Sequence, residues 1–229
     1  MDNFSASLRL TKPAVRSAGG IVAAQHRRAA AVGAAVLAQG GDAVDAAVAT
    51  SFALGVLEPW MSGIGGGGAM VLYRAVEQRY SVVDFGMRAP GSLDAASFPL
   101  SGEGVSSDLF PWARVKDDRN VHGPLSIAVP GTVDGMRVAH ERFAKLPWKK
   151  LVEPAIALAE QGLLIDWFAT ESIASAAADL NRYPASRAAY LVDGASITGV
   201  VGAHRSPLAA AEARENAASS VRGRTARLV

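Results

Sequence analysis

A mixed α/β protein, with alanine-rich helices packed on short strands, is the fold class that the sequence predicts. Half of the 229 residues are hydrophobic and only 19% are charged, which provides enough apolar surface for one sizeable core. Apolar residues recur at helical spacing in several segments, whereas short β-like runs follow a glycine-rich stretch. This mixture of helical and strand patterns is typical of layered α/β or α+β folds.

Regular structure is predicted to begin after Gly19 and Gly20. Residues 1–18 are interpreted as a loose leader. Residues 21–24 are predicted to form a short strand, and residues 25–39 an alanine-rich helix with apolar residues at helical spacing. Gly40 and Gly41 provide the C-terminal stop of that helix.

A second helix is predicted directly after this stop. Asp42 is expected to cap it, and the helix runs to about Leu57, shortly before Pro59. Its residues are apolar on nearly every side, which predicts burial between layers.

The middle of the chain is predicted to hold short strands. Residues 69–74 and 80–85 are β-like runs separated by polar residues, and they predict a hairpin. Residues 87–120 are rich in Pro, Gly, Ser and Asp, so we expect an ordered loop with short turns. Residues 125–129 are a further strand candidate.

Three more helices are predicted in the second half, at residues 132–143, 149–161 and 167–183. Pro154 lies within the first turns of the second of these, where proline is best tolerated.

Composition and charge argue against several classes of function. The formal net charge is +2, and the sequence contains no dense block of Lys or Arg, so we expect no nucleic-acid partner. The absence of cysteine excludes disulfides, thiolate metal sites and a cysteine nucleophile. The four histidines show no metal-ligand spacing, and the sequence predicts neither a metal site nor a cofactor.

The sequence also predicts no association with a membrane. The first 19 residues lack the apolar core of a signal peptide. The longest helical run of low charge, residues 46–57, is too short to span a bilayer. We therefore expect a cytoplasmic protein.

The most informative segment is the glycine-rich loop at residues 58–70. A phosphate-binding P-loop would need Lys and Ser or Thr after the glycines, but Ala69 and Met70 follow here. A dinucleotide fingerprint would run from strand to glycines to helix, whereas this loop runs from helix to glycines to strand. A nucleotide-binding role is therefore disfavoured. The glycines are expected to let a strand pass close to a neighbouring layer, with or without an active-site cleft above it.

Several ordered motifs together resemble the γ-glutamyltransferase (γ-glutamyltranspeptidase, glutathione hydrolase) family, in the N-terminal part of its large subunit. The resemblance covers about residues 19–194. It rests on the opening strand, a Gly-Gly-Asp-Ala-Val-Asp run, the glycine loop, a Val-Pro-Gly-Thr segment, Leu-Pro-Trp, and a Pro-Ala-Ile helix, at residues 19–23, 40–47, 58–70, 129–135, 146–148 and 154–162. In the second of these motifs, Asp42 stands where the family usually has asparagine.

The resemblance implies an incomplete αββα sandwich of the N-terminal-nucleophile hydrolase type. Because the chain would supply only part of that sandwich, we expect the helix at residues 43–57 and the edges of the sheets to be left uncovered. The complete enzyme would cleave γ-glutamyl amides such as glutathione through an acyl-threonine, and pass the acyl group to water or an amino acid. That threonine belongs to the small subunit, so no catalytic residue is assigned in this chain, and the small-subunit half is the implied partner. Whether the chain works as an enzyme stays open. Two alternatives are a non-catalytic subunit that pairs with a separately encoded half, and an acylase for amides other than γ-glutamyl.

One departure from the family pattern concerns the substrate. The family usually reads Asp-x-Arg-Glu-x-Ala-Pro, and its arginine binds the substrate α-carboxylate. This chain has Gly86 and Met87 at the arginine and glutamate positions. Arg88 stands two residues later, on the same face of an extended segment, and is the candidate substrate-binding residue. The alternative is that Arg88 is a surface charge or an ion-pair partner of Asp84.

The C-terminal segment, residues 195–229, differs from the rest of the chain. It holds nine alanines, five arginines and no aromatic residue. It is interpreted either as a frayed, disordered tail or as the product of an out-of-frame coding region, because GC-rich DNA read out of frame yields Ala, Arg and Gly. The resemblance ends at the same place, which favours the second interpretation.

Overall fold

The computed structural model describes residues 13–106, 110–192, 203–204 and 227–228. Most of the predicted leader and most of the predicted atypical tail lie outside these residues, so those two predictions stay as predictions. The described elements of the tail are two short strands, Ala203–His204 and Arg227–Leu228.

The described part of the chain folds into helices and short strands, as the sequence predicts. The helices are α1 (Arg27–Ala38), α2 (Ala43–Leu57), α3 (Pro59–Ser62), α4 (Thr132–Phe143), α5 (Trp148–Gln161), α6 (Trp167–Ser175), α7 (Ala177–Asn181) and α8 (Pro184–Tyr190). The strands are β1 (Gly68–Arg74), β2 (Arg79–Phe85), β3 (Leu100–Val105), β4 (Ala113–Val115), β5 (Leu163–Leu164), β6 (Ala203–His204) and β7 (Arg227–Leu228). Short 3₁₀ turns lie at Ala95–Ser97, Lys116–Asp118 and Pro124–Ser126.

Helix α2 lies at the centre of the core. It contacts α1, α4 and α5, and nine of its fifteen residues are buried. Val48, Ala49 and Ala53 are fully inaccessible to solvent. The expectation that this helix would be left uncovered is therefore wrong, because the neighbouring helices of the same chain surround it.

The predicted hairpin is confirmed. Strands β1 and β2 pair antiparallel over seven residues each, and β7 pairs with the other edge of β2. Because side chains alternate along a strand, the hairpin has two unlike faces. Met70, Val83 and Phe85 face the core formed with α2 and α4, whereas Val71 and Tyr80 are exposed on the opposite face.

The prediction of a strand at residues 21–24 is wrong. This segment is irregular, and no described strand lies beside it to take its backbone hydrogen bonds. Val22 instead packs at Gly33 of α1, where a Cβ would come within 2.8 Å of the Val22 Cγ1 atom.

Two expectations for the middle segment also need correction. Residues 87–120 contain an irregular antiparallel pair, β3 and β4, rather than only a loop with turns. Residues 125–129 are not a strand, because Pro124 begins a 3₁₀ turn through Ser126. In that segment, Val129 alone forms a β-bridge, and its partner is Arg88.

The helix predicted at residues 167–183 is interrupted near Ala176 and appears as α6 and α7. The Ser175 hydroxyl donates a 2.9 Å hydrogen bond to the Ser172 carbonyl and competes with the backbone for that acceptor. The other two helices of the second half are confirmed, and Pro154 is accommodated inside α5.

The buried carboxylate of Asp45 connects the start of α2 to the α4–α5 connection. It accepts hydrogen bonds from the backbone N–H of Asp42 (2.8 Å), Lys145 (3.2 Å) and Leu146 (3.0 Å). The first of these completes a capping box, in which Asp42 in turn accepts from Val44 and Asp45. Asp45 is fully buried, so each of these donors depends on it rather than on water.

We predict that Asp45→Ala lowers the free energy of unfolding by about 2–4 kcal/mol, because it leaves three backbone donors without their acceptor. Urea unfolding followed by circular dichroism measures this. Asp42→Asn is the matched control. Since asparagine caps equally well, we expect a change within about 0.5 kcal/mol. Equal losses in the two variants would contradict this account.

Candidate substrate-binding site

Three segments meet where the chain leaves β2, and they form the candidate site. The Gly66 carbonyl accepts hydrogen bonds from Gly131 N–H (2.9 Å) and Thr132 N–H (3.2 Å) at the start of α4. Arg88 and Val129 exchange two backbone hydrogen bonds, of 3.2 and 2.8 Å. The glycine loop, the exit of β2 and the entry to α4 are thereby held together by main-chain contacts.

Phe85 lies at the centre of this junction, with its ring buried against glycines. A Cβ on Gly135 would lie 2.2 Å from the Phe85 ring, and one on Gly131 would lie 2.1 Å from the Phe85 carbonyl oxygen. A Cβ on Gly67 would be 2.7 Å from the same oxygen. The close approach that the sequence predicts for the glycine loop is confirmed at Gly67, where φ is not in the left-handed range.

The structure places Arg88 on the surface, beside this junction. Its backbone is fixed by Val129, and its side chain is exposed. Met87, on the other side of the chain, lies over Gly67, with its Cγ 3.0 Å from an ideal Cβ there. The sequence nominates Arg88 as a candidate but does not reveal its bridge to Val129, because the two residues are far apart in the chain.

Gly86 has room for a side chain. A Cβ there would meet the Asp84 Oδ1 atom at 3.5 Å, which is ordinary van der Waals contact, and the φ of Gly86 is outside the left-handed range. The same Asp84 oxygen accepts a 3.1 Å hydrogen bond from Gly86 N–H. Glycine at this position is therefore not required by the backbone, unlike Gly131 and Gly135 nearby.

The first turns of α4 carry a chain of charges beneath the junction. Asp134 is buried and accepts two hydrogen bonds from Arg137, at 2.9 and 2.7 Å, while Arg137 also donates to Glu141 at 2.6 Å. The hydrogen bond with Glu141, and next that with Asp134, raises the pKa of Arg137. This permanently charged guanidinium neutralises the buried carboxylate and links successive turns of α4.

The described residues offer neither a metal site nor a membrane-spanning helix. In the parts that the structure describes, no group of three or more His, Asp or Glu side chains is arranged to hold a metal ion. No described helix has the length and apolar character needed to cross a bilayer.

The comparison with known protein families matches residues 29–211 to the Gamma-glutamyltranspeptidase family. The chain belongs to this family. The acylase ACY 1 proenzyme of Pseudomonas sp. (strain V22) is 40% identical over 183 residues, which are 80% of this chain and 32% of that protein. The glutathione hydrolase proenzyme of Bacillus subtilis (strain 168) is 37% identical over 166 residues, covering 71% of this chain and 26% of that protein.

Solved structures of γ-glutamyltranspeptidases share the fold. The Helicobacter pylori enzyme superposes with a TM-score of 0.78 at 29% identity, covering 89% of this chain and 55% of that chain. The Pseudomonas nitroreducens enzyme gives 0.73 at 31% identity. The present structure is therefore part of an N-terminal-nucleophile hydrolase fold. The chain spans about a third or less of the length of the curated relatives that it matches.

We predict that Gly135→Ala lowers the free energy of unfolding by about 1–3 kcal/mol, because the new methyl group collides with the Phe85 ring. Helix propensity alone would favour alanine by about 1 kcal/mol. A lower free energy of unfolding in this variant would therefore come from the collision with Phe85. Thermal unfolding measures it. Gly65→Ala is the control, since nothing lies within 4 Å of a Cβ there. A stabilised Gly135→Ala variant would show that the close packing is absent.

Proposed function

We propose that this chain provides the substrate-binding wall of an amide-cleaving acyltransferase of the γ-glutamyltranspeptidase family. The observation that carries the proposal is the Arg88–Val129 bridge, which fixes the backbone of a cationic residue at the exit of β2, beside the glycine loop. The nucleophile is supplied by the small-subunit half of the family fold. It is carried either by a separate polypeptide or by residues of a longer chain.

The reaction follows from the chemistry of the family that the resemblance implies. A γ-glutamyl amide is attacked by the hydroxyl of an N-terminal threonine, whose own α-amine acts as base. The amine leaves, an acyl-threonine forms, and water or an amino acid accepts the acyl group. The role of this chain is to orient the acyl donor before the attack, which lowers the entropic barrier of the step.

Arg88 is the residue that we assign to the substrate carboxylate. In an extended segment, positions i and i+2 point to one face and lie about 6–7 Å apart, so we expect Arg88 to take over the role of the missing arginine with a displaced charge. A guanidinium binds a carboxylate through two parallel N–H···O hydrogen bonds, which fixes orientation as well as position.

A second candidate is an acylase whose substrate is not γ-glutamyl. The glycine at position 86 favours it, since the usual cation is absent there and the segment is open. The 40% identity to the Pseudomonas acylase ACY 1 proenzyme also supports it. In this case Arg88 binds an acyl group whose carboxylate is placed differently, or none at all.

Kinetics with three anilides separate the two candidates. The chain is co-produced with a nucleophile-bearing half and assayed with γ-glutamyl, glutaryl and 4-aminobutyryl 4-nitroanilide. The glutaryl group lacks the amine, and the 4-aminobutyryl group lacks the α-carboxylate. We expect Arg88→Ala to lower kcat/KM for γ-glutamyl 4-nitroanilide by about 10- to 100-fold, the loss of one charge-assisted pair.

The controls define what would contradict the assignment. The 4-aminobutyryl substrate should be affected less than about threefold, since it has no carboxylate to lose. Arg79→Ala, at the exposed far end of β2, should leave all three rates unchanged. Adding Gly86→Arg to the Arg88→Ala variant should restore γ-glutamyl cleavage. Equal losses on all three substrates would rule out carboxylate binding by Arg88.

A further inference from the structure

A long excursion, residues 89–128, separates the two residues of the Arg88–Val129 bridge. Its described part holds the β3–β4 pair and three 3₁₀ turns, and among the described strands β3 and β4 pair only with each other. The entropy lost on closing a loop grows with the length of the loop. Contacts that hold the excursion against the helices therefore support the bridge that closes it.

Near its end, the excursion makes a tight turn at residues 116–122. Asp117 and Asp118 both have positive φ, of 60° and 47°, which is uncommon outside glycine. The Asp118 carbonyl accepts hydrogen bonds from the N–H groups of Val121 (2.8 Å) and His122 (3.0 Å). The backbone of His122 is thereby fixed by the turn that precedes it.

Two contacts dock this turn on α7 and the residues that follow that helix. The His122 Nε2 atom lies 3.5 Å from the Asp179 Oδ1 atom. A Cβ on the next residue, Gly123, would lie 3.3 Å from the Tyr183 hydroxyl. Gly123 has φ 85° and ψ −171°, a backbone conformation that is essentially restricted to glycine. The chain direction that brings His122 and Gly123 against α7 therefore depends on a glycine.

A short connection leads from this docked turn to the bridge. Ser126 donates two hydrogen bonds to the Gly123 carbonyl, from its hydroxyl (2.8 Å) and from its N–H (3.1 Å). Val129 follows, and it exchanges two backbone hydrogen bonds with Arg88. The contact of His122 with α7 is thus linked to the backbone of Arg88 through a turn that is itself hydrogen-bonded.

We propose that His122 is a positioning residue for the acyl donor, because its contact with Asp179 docks the excursion on α7 and thereby steadies the backbone of Arg88. The inference rests on the function proposed above, in which Arg88 binds the substrate carboxylate. The side chains of His122 and Asp179 are 25% and 45% exposed. Since ion pairs with this exposure are weak, the expected effects are about two- to fivefold.

Amide exchange at the bridge tests the positioning in the 229-residue chain itself. Nuclear magnetic resonance follows the exchange of the Arg88 and Val129 amides, which form the bridge. His122→Ala should speed both about two- to fivefold, because the excursion loses its contact with α7. Arg182→Ala is the matched control, since it removes the other partner of Asp179, at 3.4 Å, and leaves His122 in place. Unchanged exchange in His122→Ala, or an equal rise in both variants, would overturn the proposal.

A double-mutant cycle separates the pair from other effects of each side chain. Asp179→Ala should speed the two amides by a factor similar to that of His122→Ala, and the double variant should show no further rise. His122→Lys places a cation opposite Asp179, and we expect it to restore the original exchange rates. Additive effects of the two alanine substitutions would show that the contact does not act as a pair, and would refute the role of His122.

Kinetics of the complex with the nucleophile-bearing half show whether the positioning reaches the substrate. For γ-glutamyl 4-nitroanilide, His122→Ala should raise KM about two- to fivefold and leave kcat within about twofold, because a displaced Arg88 weakens ground-state and transition-state binding equally. The 4-aminobutyryl anilide has no α-carboxylate and should keep its KM. An equal rise of both KM values would indicate a general loss of structure and would exclude a positioning role.

The outcomes distinguish this inference from the proposed function. If Arg88→Ala impairs γ-glutamyl cleavage while His122→Ala changes neither KM nor amide exchange, the function stands and this inference falls. If His122→Ala speeds exchange at the bridge but Arg88→Ala leaves every anilide rate unchanged, the function falls. The positioning of the acyl donor then falls with it, and His122 retains only the docking of the excursion on α7.

Discussion

The buried carboxylate of Asp45 is the interaction on which the rest of the structure depends. It joins the first turn of α2 to the connection between α4 and α5, about a hundred residues away in sequence. Because α2 lies between α1, α4 and α5, this junction sets where α4 ends and α5 begins relative to the core. A buried carboxylate needs hydrogen-bond donors for its oxygens. Backbone N–H groups supply them to Asp45.

Phe85 connects the start of α4 to the surface segment that carries Gly86 and Arg88. Gly131 and Gly135 hold the ring and backbone of Phe85 at the start of α4, and the chain turns there into Gly86 and Arg88. Each step relies on main-chain proximity rather than on flexible side chains. The backbone of the candidate residue Arg88 is therefore supported by a rigid frame, which is what the proposed orientation of an acyl donor requires.

Local signals accounted for most of the fold. Gly40 and Gly41 indicated the C-terminal end of α1, and Asp42 indicated the start of α2. The alternation of apolar and polar residues indicated the β1–β2 hairpin. The β3–β4 pair could not be recognised, because β3 is exposed along most of its length and contains two glycines. Position 88 could be nominated from the motif alone. Its bridge to Val129 depends on α4 and could not be seen without the fold.

The space for a side chain at position 86 affects how the substrate preference of such enzymes can change. Glycine and arginine codons differ by a single base, and a side chain at this position meets no steric obstacle. In the proposed function, the cation can therefore move between positions 86 and 88 through an intermediate that carries both arginines, with the surrounding scaffold unchanged. On that assignment, exchange of one residue in a surface segment would shift the preferred acyl donor while the nucleophile stays the same.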